Sequence, residues 1–327
     1  MSEDSPRTVI VDTDTAGDDT QALMMAATSE RIDLAGVTIC AGNVEFDYEV
    51  ENAKYTLDVA GCADDVTVYE GARNPLLKEY EFADYVHGEG GLGGDLFPDT
   101  GIPSGDRHAV DFIVDTARES PGEVTLACIA PLTNVALALQ REPDLDDLLD
   151  EVWVMGGNVN CLGNVTPAAE YNFWVDPDAA KVVLERFDVT LFDWGLTVRD
   201  SRFGGDVLER FEAYADQPIG ELFFQANKAV RAFNRELYGE DMTTQPDSVL
   251  AAGLVEPTLI EESARYHVAV DEREGLTRGY TAVDEQDVTE HPARTTVVEA
   301  IDHDLFVRLF EGMLADGRPE AALEDAN

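Results

Sequence analysis

The stretch VIVDTDTAGDD places Asp12, Asp14, Asp18 and Asp19 within eight positions. Carboxylates this close repel one another, and burying them is expensive unless a cation, a proton or open water compensates. If Asp14 ends a strand while Asp18 and Asp19 begin a helix, their carboxylates face one point near a helix N-terminus, which favours negative charge. Hard oxygen ligands so gathered select Ca²⁺ or Mg²⁺ over softer metals. The competing reading has Asp18 merely capping the helix and Asp19 in solvent. The spacing does not fit the EF-hand pattern, so a plain calcium-sensor loop is not expected.

The elements around these residues alternate. TVIV reads as a strand and TQALMMAATS as a helix, followed by strand LAGVTIC, helix EVENAKYTLDVAG ending at Gly61, and strand VTVYEG. Helix AVDFIVDTARE, strand EVTLACI, helix LTNVALALQRE, strand EVWVMGGN, helix DPDAAKVVLERF and strand VTLFDW continue the pattern. Such alternation implies parallel βαβ units in an open α/β sheet with helices on both faces, a Rossmann-like class. Binding groups in these folds gather at the carboxyl ends of the strands. The acidic stretch, Asn43, the PLTN segment with Thr133 and Asn134, and the GGN segment with Asn158 all follow predicted strands. Each of these asparagines and threonines has an ordinary reading as a turn or cap residue. Glu170 and Asn172, two apart in an apparently extended stretch, are expected to point the same way. Residues 200 to 245 read as helical and aromatic-rich, a cap beside the same edge, and YHVAVD, GYTAVDE, RTTVVEAID and HDLFVRLFEGML return to strands and a last helix.

Composition narrows the function. The 327 residues carry 67 acidic and 22 basic side chains, a net charge of −45, which argues against nucleic acid or an anionic membrane as partner. The lysines are Lys54, Lys78, Lys181 and Lys228, with arginine supplying the other basic residues. This balance fits a protein kept soluble in concentrated salt, where screening relieves self-repulsion. It also means that most carboxylates are solvated surface. No linker divides the chain, so one domain over residues 1–327 is expected, with an acidic tail from about residue 317 that includes PEAALEDAN. MSEDSPRTV lacks a signal-peptide pattern, and no run of about 18 apolar residues offers a membrane span. A cytoplasmic protein is expected. Cys40, Cys62, Cys128 and Cys161 form no CxxC pair and read as reduced thiols.

Two resemblances bear on function. IVDTDTAG resembles the DxDx[TV] motif of haloacid-dehalogenase-like phosphohydrolases, but the later lysine and downstream acidic pair of that family have no clear counterpart here. DTDTAGDD, AGNV, HGEGGLG, PLTN, VMGGN, GNVTPAAEYNFWVDP, QPDSVLAA and LTRGYTAVD occur in the order of the inosine-uridine-preferring nucleoside hydrolases, and the chain resembles that family from about residue 8 to 310. The resemblance implies calcium-dependent cleavage of the N-glycosidic bond of a ribonucleoside, giving ribose and free base. It implies Ca²⁺ held by Asp14, Asp19, Asp247 and the backbone carbonyl of Thr133, with Asp14 also taking the proton of the attacking water. Asp18, Asn43, Asn164, Glu170 and Asn172 would bind the sugar, Met155 would pack nearby, and His87 would belong to the substrate-binding set. A homo-oligomer, dimer or tetramer, is implied as well.

The chain departs from the family pattern where the leaving base is protonated. Several family members carry His immediately before the last calcium-binding Asp; Pro246 stands there, and Gly90 occupies a position often held by Asp. Leaving-group activation then falls to aromatic stacking, a cap tyrosine or solvent, with Tyr85, Phe224 and Tyr238 as candidates. The alternative from another class is a non-catalytic module that binds ribose or nucleoside through the same calcium site.

Overall fold

The computed structural model describes residues 5–324. Its main sheet contains β1 (Arg7–Thr13), β2 (Ile32–Ile39), β3 (Val68–Glu70), β4 (Val124–Cys128), β5 (Glu151–Met155) and β6 (Val189–Phe192). After a two-stranded ribbon of β7 (Arg202–Gly204) and β8 (Met242–Thr244), it is completed by β9 (Ile260–Val270), β10 (Thr281–Asp284) and β11 (Thr295–Ile301). The spatial order is β10-β9-β11-β6-β5-β4-β1-β2-β3. Every pairing from β3 across to β11 is parallel, whereas β9 runs antiparallel to both neighbours. The sheet is therefore open, mixed and mostly parallel, as the alternation of elements predicts.

Both faces are apolar, and the strands show it residue by residue. Val9 and Val11 of β1 join one core cluster while Ile10 joins another; Trp153 and Met155 of β5 face the first, Val152 and Val154 the second. This is the period-two pattern of a strand buried on both sides, written with apolar residues throughout. Helix α1 (Asp19–Thr28) and the helices Pro246–Val255 and His303–Asp316 cover the first face. The helices Ala109–Glu119, Thr133–Arg141 and Pro177–Arg186 cover the second. Helix α2 (Phe46–Val59) packs over β2 and β3.

Two features position the site. β1 lies between β2 and β4, so the chain winds outward in opposite directions from it, and the crevice at its carboxyl end is the switch point where α/β proteins bind ligands. The region expected to be a cap holds helices Gly205–Phe211, Pro218–Ala226 and Lys228–Tyr238 together with the β7–β8 ribbon. It is anchored to the last helix by aromatic packing: Phe211 stacks on Phe310 at 5.5 Å, and Phe223 meets the same ring at 5.3 Å. Pairs of this kind contribute about 0.5–1.5 kcal/mol beyond burial.

Boundaries differ from expectation in places. VTVYEG contracts to β3, three residues long, and α2 begins at Phe46 rather than Glu49. EYNFWV is not extended: a short helix, Tyr171–Val175, starts there with Glu170 as its cap. Of the expected acidic tail, residues 325–327 lie outside the described residues, while Ala321–Glu324 form a short helix and Leu323 packs on the core.

Candidate active site

Asp14 follows the last residue of β1, and its carboxylate is completely buried with neither oxygen hydrogen-bonded. Burial, then the charges of Asp19 and Glu49, hold its carboxyl well above the usual range. Asp18 and Asp19 open α1, and Asp247 lies in the first turn of Pro246–Val255. One carboxylate oxygen from each of Asp18, Asp19 and Asp247 falls within 4.8 Å of the others. The Asp247 N–H donates to Asp18 Oδ2 at 3.3 Å, which closes the cluster across the two helix starts. Burial pushes Asp18 up to about 6 and Asp19, also opposed by the Asp18 charge, up to about 7. Asp247 is raised by burial and by the charges of Asp18, Asp19 and Asp14. Two helix N-termini offset part of this repulsion.

The readings of Asp18 as a plain cap and Asp19 as solvated fail. Asp18 makes no side-chain cap bond, and Asp19 is buried, accepting from Thr13 Oγ1 at 2.7 Å, Asn43 Nδ2 at 3.0 Å and the Ala16 N–H at 3.3 Å. Asp12 supports the loop from below: its Oδ1 accepts from Thr38 Oγ1 at 2.5 Å and Asn134 Nδ2 at 2.8 Å, and burial pushes it up to about 7.

The loops after the neighbouring strands brace this centre. Asn43 also donates to the Asp14 carbonyl at 3.3 Å, so it is a tie to the acidic loop and not merely a turn residue. Asn134 is no helix cap: its amide reaches Asp12 and the Ile39 carbonyl, and its carbonyl accepts from Ala72 N–H. The HGEGGLG segment lies against the acidic loop, where Gly17 N–H donates to the Gly91 carbonyl at 2.9 Å and Asn52 Nδ2 bridges the Thr15 and Gly90 carbonyls. Gly17 has a φ of +36°, and a Cβ there would sit 2.2 Å from His87 Nδ1. His87 thus packs on the acidic loop with that nitrogen buried and unpartnered, and desolvation lowers it to about 4.

The residues expected around a sugar fall into two groups. Met155, Glu170 and Asn172 converge at the ends of β4 and β5: Asn172 Nδ2 lies 3.2 Å from the Met155 carbonyl and 3.4 Å from the Ile129 carbonyl. Glu170 accepts from the N–H groups of Gly157 at 2.7 Å, Asn172 at 2.8 Å and Phe173 at 3.2 Å, and burial raises it to about 7. The expected common strand face for Glu170 and Asn172 is replaced by a cap and first-turn arrangement, because the carboxylate satisfies the open N–H groups of a helix. Asn164 stands apart, exposed in the loop that follows Asn158. Asn158 is buried after β5, its N–H donating to Thr281 Oγ1 and its Nδ2 to the Cys161 carbonyl, each at 3.1 Å, with its amide oxygen unpartnered. Thr133 is buried, with its hydroxyl 2.7 Å from Asp176 Oδ2. Of the aromatic candidates, Tyr85 is exposed with its ring 6.3 Å from that of Phe233, and Tyr238 is exposed on the cap. Phe224 lines a separate cleft of about 520 Å³ with Tyr55, Leu96 and Pro218, whose walls include none of Asp14, Asp18, Asp19 and Asp247. Pro246 occupies the first turn of its helix, where a missing N–H costs nothing.

Sequence reasoning did not single out Glu49, Tyr80 or Tyr171. Glu49 is fully buried on α2, raised to about 8 by burial, and holds the turn that carries Asn43. Its one signal was a charged residue on the inward face of an amphipathic helix.

The donor set fits a hard divalent cation. The carboxylates of Asp18, Asp19 and Asp247 meet, the charge of the buried Asp14 acts on Asp247 beside them, none of the four forms an ion pair with a Lys or Arg among the described residues, and both Asp14 oxygens lack partners. Fold and site together define an α/β protein with a carboxylate centre at its switch point. The profile of the inosine-uridine preferring nucleoside hydrolases matches residues 9–308. The chain is 36% identical over 307 residues to the pyrimidine-specific ribonucleoside hydrolase RihB of Escherichia coli strain SE11, covering 93% of this chain and 96% of that one. It is 34% identical over 300 residues to an uncharacterized protein of Schizosaccharomyces pombe, covering 91% and 96%. Among solved structures, a plant nucleoside hydrolase, PpNRh1, superposes with a TM-score of 0.87 at 28% identity, covering 95% of this chain and 99% of that one. The purine-preferring ribonucleoside hydrolase of Gardnerella vaginalis does so with a TM-score of 0.85 at 26% identity and the same coverage. The chain belongs to the inosine-uridine preferring nucleoside hydrolase family. It is an N-glycosyl hydrolase of ribonucleosides, and the phosphohydrolase reading of DTDTAG is left without support.

Proposed function

We propose that this enzyme splits ribonucleosides into ribose and free base in a calcium-dependent reaction with Asp14 as general base. The observation that carries the reading is a buried Asp14 carboxylate, free of hydrogen bonds, beside the Asp18, Asp19 and Asp247 triad at the end of β1. Asp14, Asp19 and Asp247 would hold Ca²⁺, with the Thr133 carbonyl as a further ligand, and Asp18, which lies against Asp19 and Asp247, would bind the ribose hydroxyls. When bound, the ion lowers the pKa of the attacking water and engages sugar hydroxyls. Asp14, neither of whose oxygens is engaged by the protein, would take the proton of the attacking water. Cleavage passes through an oxocarbenium-like state, which the anionic site stabilises by proximity of negative charge to the sugar. Glu170, Asn172 and Met155 would line the sugar side, and Asn164, exposed in the loop after Asn158, would bind the sugar with them. With Pro246 in place of a histidine, the departing base draws its proton from solvent or from a tyrosine at the mouth, Tyr85 being the nearest in kind.

The protein works as a cytoplasmic homo-oligomer adapted to high salt. No described helix is long and apolar enough to cross a membrane. Ribose release from inosine, adenosine, guanosine, uridine and cytidine in high salt, with and without a calcium chelator, tests the reading. Chelator-sensitive release supports it and ranks the bases. Chelator-insensitive release refutes the metal role, and no release from protein that still binds calcium points to a binding role instead.

A further inference from the structure

Glu49 lies outside the set of residues that meet a metal or a sugar, yet it is entirely buried and one of its oxygens has no partner. Its other oxygen accepts from the N–H of Gly42 at 3.0 Å and of Val44 at 3.1 Å, with the Tyr80 hydroxyl at 3.3 Å. Tyr80 also reaches the Val44 carbonyl, and the Tyr171 hydroxyl donates to the Gly42 carbonyl at 2.5 Å. Both polar backbone groups of Gly42 and of Val44 are therefore held by side chains from other elements. Between them, Asn43 binds the Asp14 carbonyl and Asp19 Oδ2. A Cβ on Gly42 would fall 1.9 Å from Asp14 Oδ2, so this turn is the wall against which the Asp14 carboxylate lies. A buried carboxyl with no cation is a costly way to hold a turn, and an apolar side chain would fill the same face of α2 without that cost.

We infer that Glu49, together with Tyr80 and Tyr171, is a positioning clamp that sets the orientation of the Asp14 carboxylate through the Gly42–Val44 turn. The inference rests on Asp14 being the base. Glu49 touches no reacting atom. Glu49→Gln keeps an oxygen for the two N–H groups, whereas Glu49→Ala removes it. For Glu49→Ala the expected result is a fall in kcat of about 10- to 100-fold, the scale of an ångström-level misplacement, with KM within about threefold. Glu49→Gln is expected to restore kcat to within about threefold of the parent. A fall in kcat for Glu49→Ala of less than about threefold, or a Glu49→Gln as slow as Glu49→Ala, overturns the clamp. Amide hydrogen exchange of the peptide spanning 42–44 gives a readout independent of turnover: Glu49→Ala should lose protection there and Glu49→Gln should keep it. Unchanged protection in Glu49→Ala overturns the clamp whether or not the parent hydrolyses nucleosides, while absent turnover in the parent with lost protection in Glu49→Ala refutes only the catalytic reading.

Discussion

Removing the divalent ion should make this enzyme lose stability as pH rises, and the size of the effect follows from the buried carboxylates. Asp19 is raised from an ordinary 3.8 to about 7, roughly three pH units, and at about 1.36 kcal/mol each this is about 4 kcal/mol. The sign follows from proton binding. Between those two values the folded chain holds a proton that the unfolded chain has released, so stability falls with increasing pH across that window and levels off above about 7. Asp18 behaves alike with an upper limit of about 6. The groups are neighbours, so their effects do not add, and about 4 kcal/mol is the scale for the pair. For 327 residues, an unfolding entropy of about 2.1 cal/mol/K per residue converts this to a fall in Tm of about 6 °C. At the proposed calcium site, bound Ca²⁺ would stabilise the ionised carboxylates, so the Tm gain on adding it should be small at pH 5 and large at pH 8. Differential scanning calorimetry at constant high salt, with chelator or with excess calcium, measures both curves. A chelated protein whose Tm is flat or rises from pH 5 to 8, or a calcium gain equal at the two ends, would refute the reasoning.

Asp14→Asn should lower kcat by about 10²- to 10⁴-fold, the usual contribution of a general base, and should raise the Tm of the chelated protein near neutral pH, because a buried carboxyl that must hold a proton only in the folded chain is gone; steady-state ribose release and calorimetry read the two effects. Gly42→Ala places a methyl group 1.9 Å from Asp14 Oδ2 and should cut kcat by about 100-fold while the protein still folds, as checked by kinetics beside circular dichroism. Glu170→Gln leaves one amide nitrogen facing backbone N–H donors, a loss of about 1–3 kcal/mol in stability, and should raise KM without weakening calcium binding measured by titration calorimetry. With a net charge of −45, Tm should climb steadily as sodium chloride rises from 0.1 M to above 1 M, where the screening length shrinks from about 10 Å to about 3 Å; a salt-independent Tm removes the case for salt adaptation.

The alternation of apolar runs and amphipathic segments was enough to read an open, mostly parallel α/β sheet, because a strand covered on both faces must be apolar at every position, as Val9, Ile10 and Val11 are. The acidic loop was legible for a related reason. Four aspartates in eight residues after such a strand ask for compensation wherever the chain folds, and the order of the later motifs named the family. What the sequence left open depended on partners distant in the chain. Asp247 meets Asp18 across 229 positions, and nothing local to QPDS distinguishes that meeting from an ordinary turn. Glu170 and Asn172 looked extended because period-two spacing says nothing about open N–H groups; the nearby Gly157 loop and a nascent helix recruited the carboxylate as a cap. Glu49 was invisible among 67 acidic residues, since only packing distinguishes a buried carboxyl from a solvated one. Local pattern thus determined which residue types line the strand ends, while tertiary structure alone decided which carboxylates share a centre, because charge repulsion and hydrogen bonding act through space and not along the chain.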